Sequence, residues 1–274
     1  SGGERGLGRP TALLRRVAQS VAARSFNGRE VVLVGANPDG LPLAINLIAN
    51  LAKLGHHHAL LLADQSATCK LLTRADAPAC VTSSLAGAYR TMLGTYGVNA
   101  VRLLWLRRYY VMLRLAKLRL NVLMLDADVI LFHDPYPFLK GALANYSAVN
   151  LADNSAGYAK VNGGVWYLQN VAPGGPVEHL FEEFERRTLT LLDGSQPLLR
   201  YRADKKRDAG RPADCMLYDQ QAINNASPPL LHTASLLLTL SLPPPLTSLS
   251  PPPTRTFRAP PLPRRPRSQH RPPA

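Results

Sequence analysis

Asn121–Lys140 reads NVLMLDADVILFHDPYPFLK, and the fold turns on how it is read. An apolar run, Val122 to Leu125, drives into Asp126-Ala127-Asp128 and resumes as Val129, Ile130, Leu131 and Phe132. Its length and β-branched content are those of a buried strand. Two carboxylates at the end of such a strand need partners, because an ionised group taken out of water must be paired, hydrogen-bonded or bound to metal. A hard divalent cation is the natural partner, since it takes oxygen ligands and can bridge to a diphosphate. The stretch points to a metal-dependent site at the C-terminal edge of a parallel sheet, where open α/β folds bind ligands.

Upstream, strands and helices alternate. Leu13 to Ala23 has helical spacing, and Glu30 to Val34 makes a first strand ended by Gly35-Ala36-Asn37-Pro38-Asp39-Gly40. Leu43 to Leu54 follows with apolar residues at helical spacing and a Gly55 stop. His58 to Ala63 is a second strand ending in Asp64. This order implies a right-handed crossover and a parallel sheet. Trp105 to Leu120 is a basic amphipathic helix leading into the aspartate-bearing strand. His56-His57-His58 is expected to be a surface turn, because adjacent residues of an extended chain face opposite sides and chelate poorly. His133 and Asp134 precede Pro135 and shape the turn after the strand rather than bind metal.

Composition is uneven along the 274 residues. From Ser235 the chain reads SLLLTLSLPPPLTSLSPPPTRTFRAPPLPRRPRSQHRPPA, without an acidic residue. Proline denies helices and strands their hydrogen bonds, so 233–274 is expected to be disordered or polyproline-like. The formal charge is +14, from 32 Lys and Arg against 18 Asp and Glu. Arg255, Arg258, Arg264, Arg265, Arg267 and Arg271 belong to the tail, and without these six the charge is +8. A basic globular part suits a nucleotide diphosphate or an anionic polysaccharide. Nucleic acid is not expected, for no zinc-finger spacing, aromatic RNA-binding motif or helix-turn-helix pattern appears. Cys69, Cys80 and Cys215 exclude a zinc ribbon or a dense disulfide scaffold. Cys69 and Cys80 either pair in an oxidising lumen or stay as buried thiols. Asn145-Tyr146-Ser147 and Asn225-Ala226-Ser227 are N-glycosylation sequons, the second disfavoured by Pro228. No run reaches the roughly eighteen apolar residues of a membrane span. The chain opens on Ser, which leaves room for an upstream anchor.

Three motifs in order carry a resemblance: LDADVILFHDPYPFL from Leu125, VNGGVWYL from Val161, and DQQAIN from Asp219. Together they resemble the nucleotide-diphospho-sugar transferase domain of plant and algal glycosyltransferases. More narrowly they resemble glycosyltransferase family 77, whose arabinosyl- and xylosyltransferases act on cell-wall glycans and glycoproteins. The likeness covers about Val31 to Asn225. It implies a GT-A-like single α/β domain at 26–232, with a central mostly parallel sheet flanked by helices. A lead-in with a helix at 1–25 would precede it, and the tail at 233–274 would follow. It also implies transfer of a pentose or hexose from a UDP-sugar, metal-dependent and retaining, in the Golgi lumen of a type II membrane protein. The acceptor would be a cell-wall glycan or a hydroxyproline-rich glycoprotein.

Residue by residue, the resemblance assigns Ala36 and Asn37 to uridine recognition, with Asn37 and Asp39 as helix caps the competing reading. Arg107 or Arg108, with Arg108 preferred, would face the donor, although a solvated helix face is the ordinary fate of such residues. Asp126 and Asp128 would hold Mn²⁺, or Mg²⁺, with Asp126 on the ion or the ribose and His232 as a late third ligand. Asn162, Gly163 and Gly164 would form a sharp turn before a second strand, close to the donor, or else a bulge or hairpin bend. Asp219 and Gln220 would lie near the anomeric carbon, or else cap the helix starting at Gln221. Two other classes compete. One is a degenerate domain that binds nucleotide or glycan without turnover. The other is a phosphatase of the haloacid dehalogenase type, which also places D-x-D after an apolar strand.

Since the Pro-rich tail has little apolar surface to bury, a chain ending at Thr233 is expected to keep the melting temperature of the full chain. Calorimetry on the two proteins checks this, and a large loss on truncation would mean that the tail packs.

Overall fold

In the computed structural model the described residues are 11–72, 77–82, 100–152 and 161–192. The expected boundary near 232 and the tail beyond it lie outside them. Thr11 opens the first helix, α1 (Ala12–Ala22), by accepting the Leu14 N–H on its hydroxyl at 3.2 Å. There follow β1 (Glu30–Ala36), α2 (Leu41–Lys53), β2 (Ala59–Ala63), the short α3 (Ser66–Lys70), β3 (Ala79–Thr82) and α4 (Ala100–Lys117). The second half gives β4 (Asn121–Leu125), the short α5 (Tyr136–Lys140), β5 (Ala148–Ala152), β6 (Val161–Leu168) and α6 (Pro176–Leu192).

The six strands form one sheet in the order β3-β2-β1-β4-β6-β5. The first four are parallel, whereas β6 runs antiparallel to β4 and to β5. The expected mixed α/β architecture with a mostly parallel sheet is therefore present. Strands covered on both faces need no polar alternation, and β1 obeys this. Val31 and Leu33 join one core with α1, α4 and α6, while Val32 and Val34 join the other with α2 and α5. The first core centres on Tyr109, Trp166, Phe181 and Phe184, whose rings meet at 4.9–6.2 Å.

β4 stops at Leu125, so the resumed apolar run is not strand. A turn in which the Val129 N–H donates to the Asp126 carbonyl at 3.1 Å ends the ladder. Ile130 and Phe132 are left exposed, Phe132 at 83%. The Asn50 side chain of α2 holds this loop, donating to the Leu131 carbonyl at 3.0 Å and accepting from its N–H at 2.9 Å.

The histidine triplet is not a surface turn. Residues two apart in an extended segment share a side, and here that side faces the protein. His58 is 1% exposed, its Nε2 2.8 Å from the Tyr136 hydroxyl. His56 Nε2 lies 2.9 Å from Asp134 Oδ1, and only His57 is exposed. Burial first, and the neighbouring His56 next, push the His58 imidazole down to about 4. As expected, Asp134 shapes its turn, accepting the Tyr136 N–H at 2.9 Å.

Glu30 anchors the N-terminal edge of the sheet from a fully buried position. Its carboxylate accepts from Asn27 and Asn121 at 2.8 Å each and from the Tyr167 hydroxyl at 3.1 Å, and it pairs with Lys140 at 2.8 Å. Burial alone would raise its pKa, but the bonds from Lys140, Asn27 and Asn121 outweigh that and hold it below the ordinary 4.5. Its stabilisation is therefore complete above the ordinary value and lost as pH falls through the lower one. His58, with its depressed value, removes stability as pH falls from 6.5 toward 4. Glu30→Gln is expected to cost about 2 kcal/mol near neutral pH, the scale of hydrogen bonds to a charged group. Urea titrations should show the gap to wild type narrowing below the ordinary glutamate value.

Candidate functional site

A switch point lies between β1 and β4, where connections leave in opposite directions: β1 leads on to β2 on one side, and β4 lies toward β6 and β5 on the other. Open α/β sheets bind ligands in the crevice beyond the C-terminal strand ends at such a point. Here it receives Ala36 and Asn37 from β1, Asp126 and Asp128 from β4, and the start of antiparallel β6.

Asn162, Gly163 and Gly164 do not form a turn before a strand, for they lie inside β6. The Gly164 carbonyl accepts the Asp126 N–H at 2.7 Å, one step beyond the Leu125–Val165 register pair. The Asn162 side chain accepts the Gly164 N–H at 2.7 Å, and its carbonyl accepts the Trp166 indole at 3.0 Å. Tyr109 donates to the Gly163 carbonyl at 3.2 Å. A Cβ at Gly164 would overlap the Asp126 carboxylate. The glycine thus admits a side chain of the same protein, a role that spacing alone does not reveal.

Arg107 and Arg108 are not on a solvated helix face either. Both are buried, Arg108 at 3% exposure. Arg107 Nη1 donates to the Asp64 carbonyl at the end of β2 at 2.6 Å. Arg108 Nη1 pairs with Asp126 Oδ1 at the end of β4. To reach it the Arg108 stem passes over β1 at Gly35, where a Cβ would stand 3.0 Å from Arg108 Cδ. Gly35 is a site residue that sequence reasoning missed. It reads as a strand-ending turn until the crossing side chain is seen.

Around this core, Asp64 Oδ1 accepts from the Thr68 hydroxyl at 2.5 Å. Cys69 of α3 and Cys80 of β3 are joined by a disulfide that ties these elements together. Ala36 is buried, and Asn37 Oδ1 accepts the Gly40 N–H at 2.9 Å, steadying the loop that opens α2. Asp39 and Asp128 are exposed, while Asp126 is about one-third exposed. Asp219, Gln220 and His232 lie outside the described residues.

Among the described residues no three His, Cys, Asp or Glu side chains gather to cage a metal. Two carboxylates from one turn still fit a hard cation of the Mg²⁺ or Mn²⁺ kind. Such ions are often held by one or two carboxylates with substrate phosphates and water completing the sphere. Also among the described residues, no helix is long and apolar enough to cross a membrane.

Residues 55–190 match a protein family described as nucleotide-diphospho-sugar transferase. The match contains β2 to β6, and with them Arg108, Asp126, Asp128 and the Asn162–Gly164 segment; Ala36 and Asn37 precede it. No curated protein matches the chain.

Gly164→Ala is expected to cost about 1–3 kcal/mol, the range of overpacking in a tight site, because the new methyl displaces the Asp126 carboxylate. Gly35→Ala should cost less, since a side-chain stem can shift by tenths of an ångström. Denaturant midpoints of the two variants test the order.

Proposed function

We propose that this chain is a metal-dependent glycosyltransferase acting on a UDP-sugar, close to glycosyltransferase family 77. The observation that carries the reading is the convergence of Asp126, Asp128, Arg108 and the β6 glycine segment at the switch point, inside the span that matches nucleotide-diphospho-sugar transferases.

Transfer breaks the bond between the anomeric carbon and the diphosphate. Negative charge grows on the leaving phosphate oxygen and positive charge on the sugar ring. A divalent ion at Asp126 and Asp128 would supply Lewis-acid stabilisation of the leaving group. Arg108 fixes the Asp126 carboxylate before substrate arrives, so that reorganisation is not needed during reaction. Gly164, with the Asn162 side chain turned onto its amide, seats the Asp126 carboxylate against β6. On this reading Ala36 and Asn37, at the end of β1, would meet the base and ribose. In this reading Asp219 and Gln220 would stabilise the cationic ring or orient the acceptor hydroxyl with retention, and His232 would be a further ligand to the ion. Acceptor and compartment follow the same likeness: a cell-wall glycan or hydroxyproline-rich glycoprotein, in the Golgi lumen. The Cys69–Cys80 disulfide supports an oxidising compartment.

The match of residues 55–190 to nucleotide-diphospho-sugar transferases favours this reading over a phosphatase of the dehalogenase type. A binding domain without turnover is separated from an enzyme by assay: released UDP is measured with a panel of UDP-sugars and Mn²⁺. Asp128→Asn is expected to abolish metal-dependent UDP binding while leaving the melting temperature unchanged, because an amide is the weaker ligand and the side chain is exposed. Calorimetry with UDP and Mn²⁺ reads this directly; equal affinity in both proteins would remove the metal assignment.

A further inference from the structure

We infer that Asn145 carries an N-linked glycan in the mature protein. The sequon Asn145-Tyr146-Ser147 occupies the connection between α5 and β5. Asn145 is exposed, and its side chain makes no hydrogen bond among the described residues. The backbone after it is pinned instead. The Tyr146 carbonyl accepts from the Gln169 side chain at 3.0 Å, and the Ser147 carbonyl accepts the Gln169 N–H at 3.0 Å. The acceptor amide therefore projects from a fixed turn at the surface, where a bulky sugar displaces only water.

Two further observations agree. The Cys69–Cys80 disulfide belongs to chains that mature in an oxidising compartment, where such glycans are attached. Register also sets the sequon apart from the crevice. Ala148 pairs with Leu168 and Leu168 with Val122, at the N-terminal end of β4, whereas Asp126 follows the Leu125–Val165 pair at the other end. A glycan at Asn145 leaves the switch point open. The inference does not rest on the transferase reading, since any secreted protein with this turn offers the same acceptor.

The co-reactant is an oligosaccharide on a lipid diphosphate. The Asn145 Nδ2 forms a bond to its anomeric carbon while the bond from that carbon to the diphosphate breaks. The lipid diphosphate leaves with the electron pair, and one amide proton passes to a base on the attaching enzyme. Nothing is oxidised or reduced.

The test uses the protein purified from the cells that make it. Enzymatic deglycosylation in ¹⁸O-water should convert Asn145 to labelled aspartate in the recovered peptide, and Asn225, followed by Pro228, should remain unlabelled. In the same cells, full-length Asn145→Gln and Ser147→Ala variants should each lose the mass of one glycan. UDP binding by Asn145→Gln should match wild type, so failure of the transferase reading would show in that measurement alone. An unmodified Asn145 in the mature protein, or a glycan retained by Asn145→Gln, would overturn the inference.

Discussion

Two adjacent guanidinium groups are buried where α4 crosses the C-terminal edge of the sheet, and they constrain what surrounds them. A buried ion loses several kcal/mol of hydration and persists only where acceptors replace it. Arg107 finds the Asp64 carbonyl at the end of β2, and Arg108 finds the Asp126 carboxylate at the end of β4. β1 lies between those strands, so the Arg108 path requires Gly35, and the seat of Asp126 requires Gly164. Two arginines, two glycines and one aspartate thus form a single steric and electrostatic condition. Further along α4 the same logic recurs, where Arg114 pairs with the buried Glu185 of α6 at 3.0 Å. There burial raises the Glu185 pKa, and Arg114 opposes it.

The two edges of the sheet divide the labour. At the N-terminal edge every oxygen of Glu30 is engaged by Asn27, Asn121, Tyr167 or Lys140, and His58 and Tyr136 close against it. That edge is fully satisfied and gives stability. At the C-terminal edge the carboxylate of Asp128 reaches solvent and that of Asp126 is about one-third exposed. Unspent acceptor capacity is what an incoming cation with its diphosphate requires.

Much of the parallel half was legible in the sequence, because its strands are continuous apolar runs bounded by Gly, Pro or Asp. The ends of β1, β2 and β4 fall at or within two residues of those marks. The antiparallel addition was harder. Glycine is depleted in strands, so Asn162-Gly163-Gly164 reads as a turn, and only the Asp126 carboxylate beside Gly164 explains a glycine there. Arg107 and Arg108 read as solvated because their acceptors come from other strand ends. His56 and His58 read as exposed because their partners, Asp134 and Tyr136, are 78 residues away. The Cys69–Cys80 pairing stayed open in the sequence, and the adjacency of α3 and β3 decides it.

The segment after β4 is held at three points: Asp126 by the Gly164 carbonyl, Leu131 by Asn50, and Asp134 by His56. It leaves the sheet at one edge and reaches the His56–Tyr136 cluster at the other. Between the anchors Ile130 and Phe132 face solvent, so the identity of those side chains matters little to the core. Its length is another matter. One residue gained or lost between Asp126 and Leu131 would shift Asp128 against Asp126, or release the Asn50 clamp. Positions 130 and 132 should drift freely in composition over evolutionary time while the stretch keeps its residue count, a signature opposite to that of ordinary surface loops, which accept insertions readily.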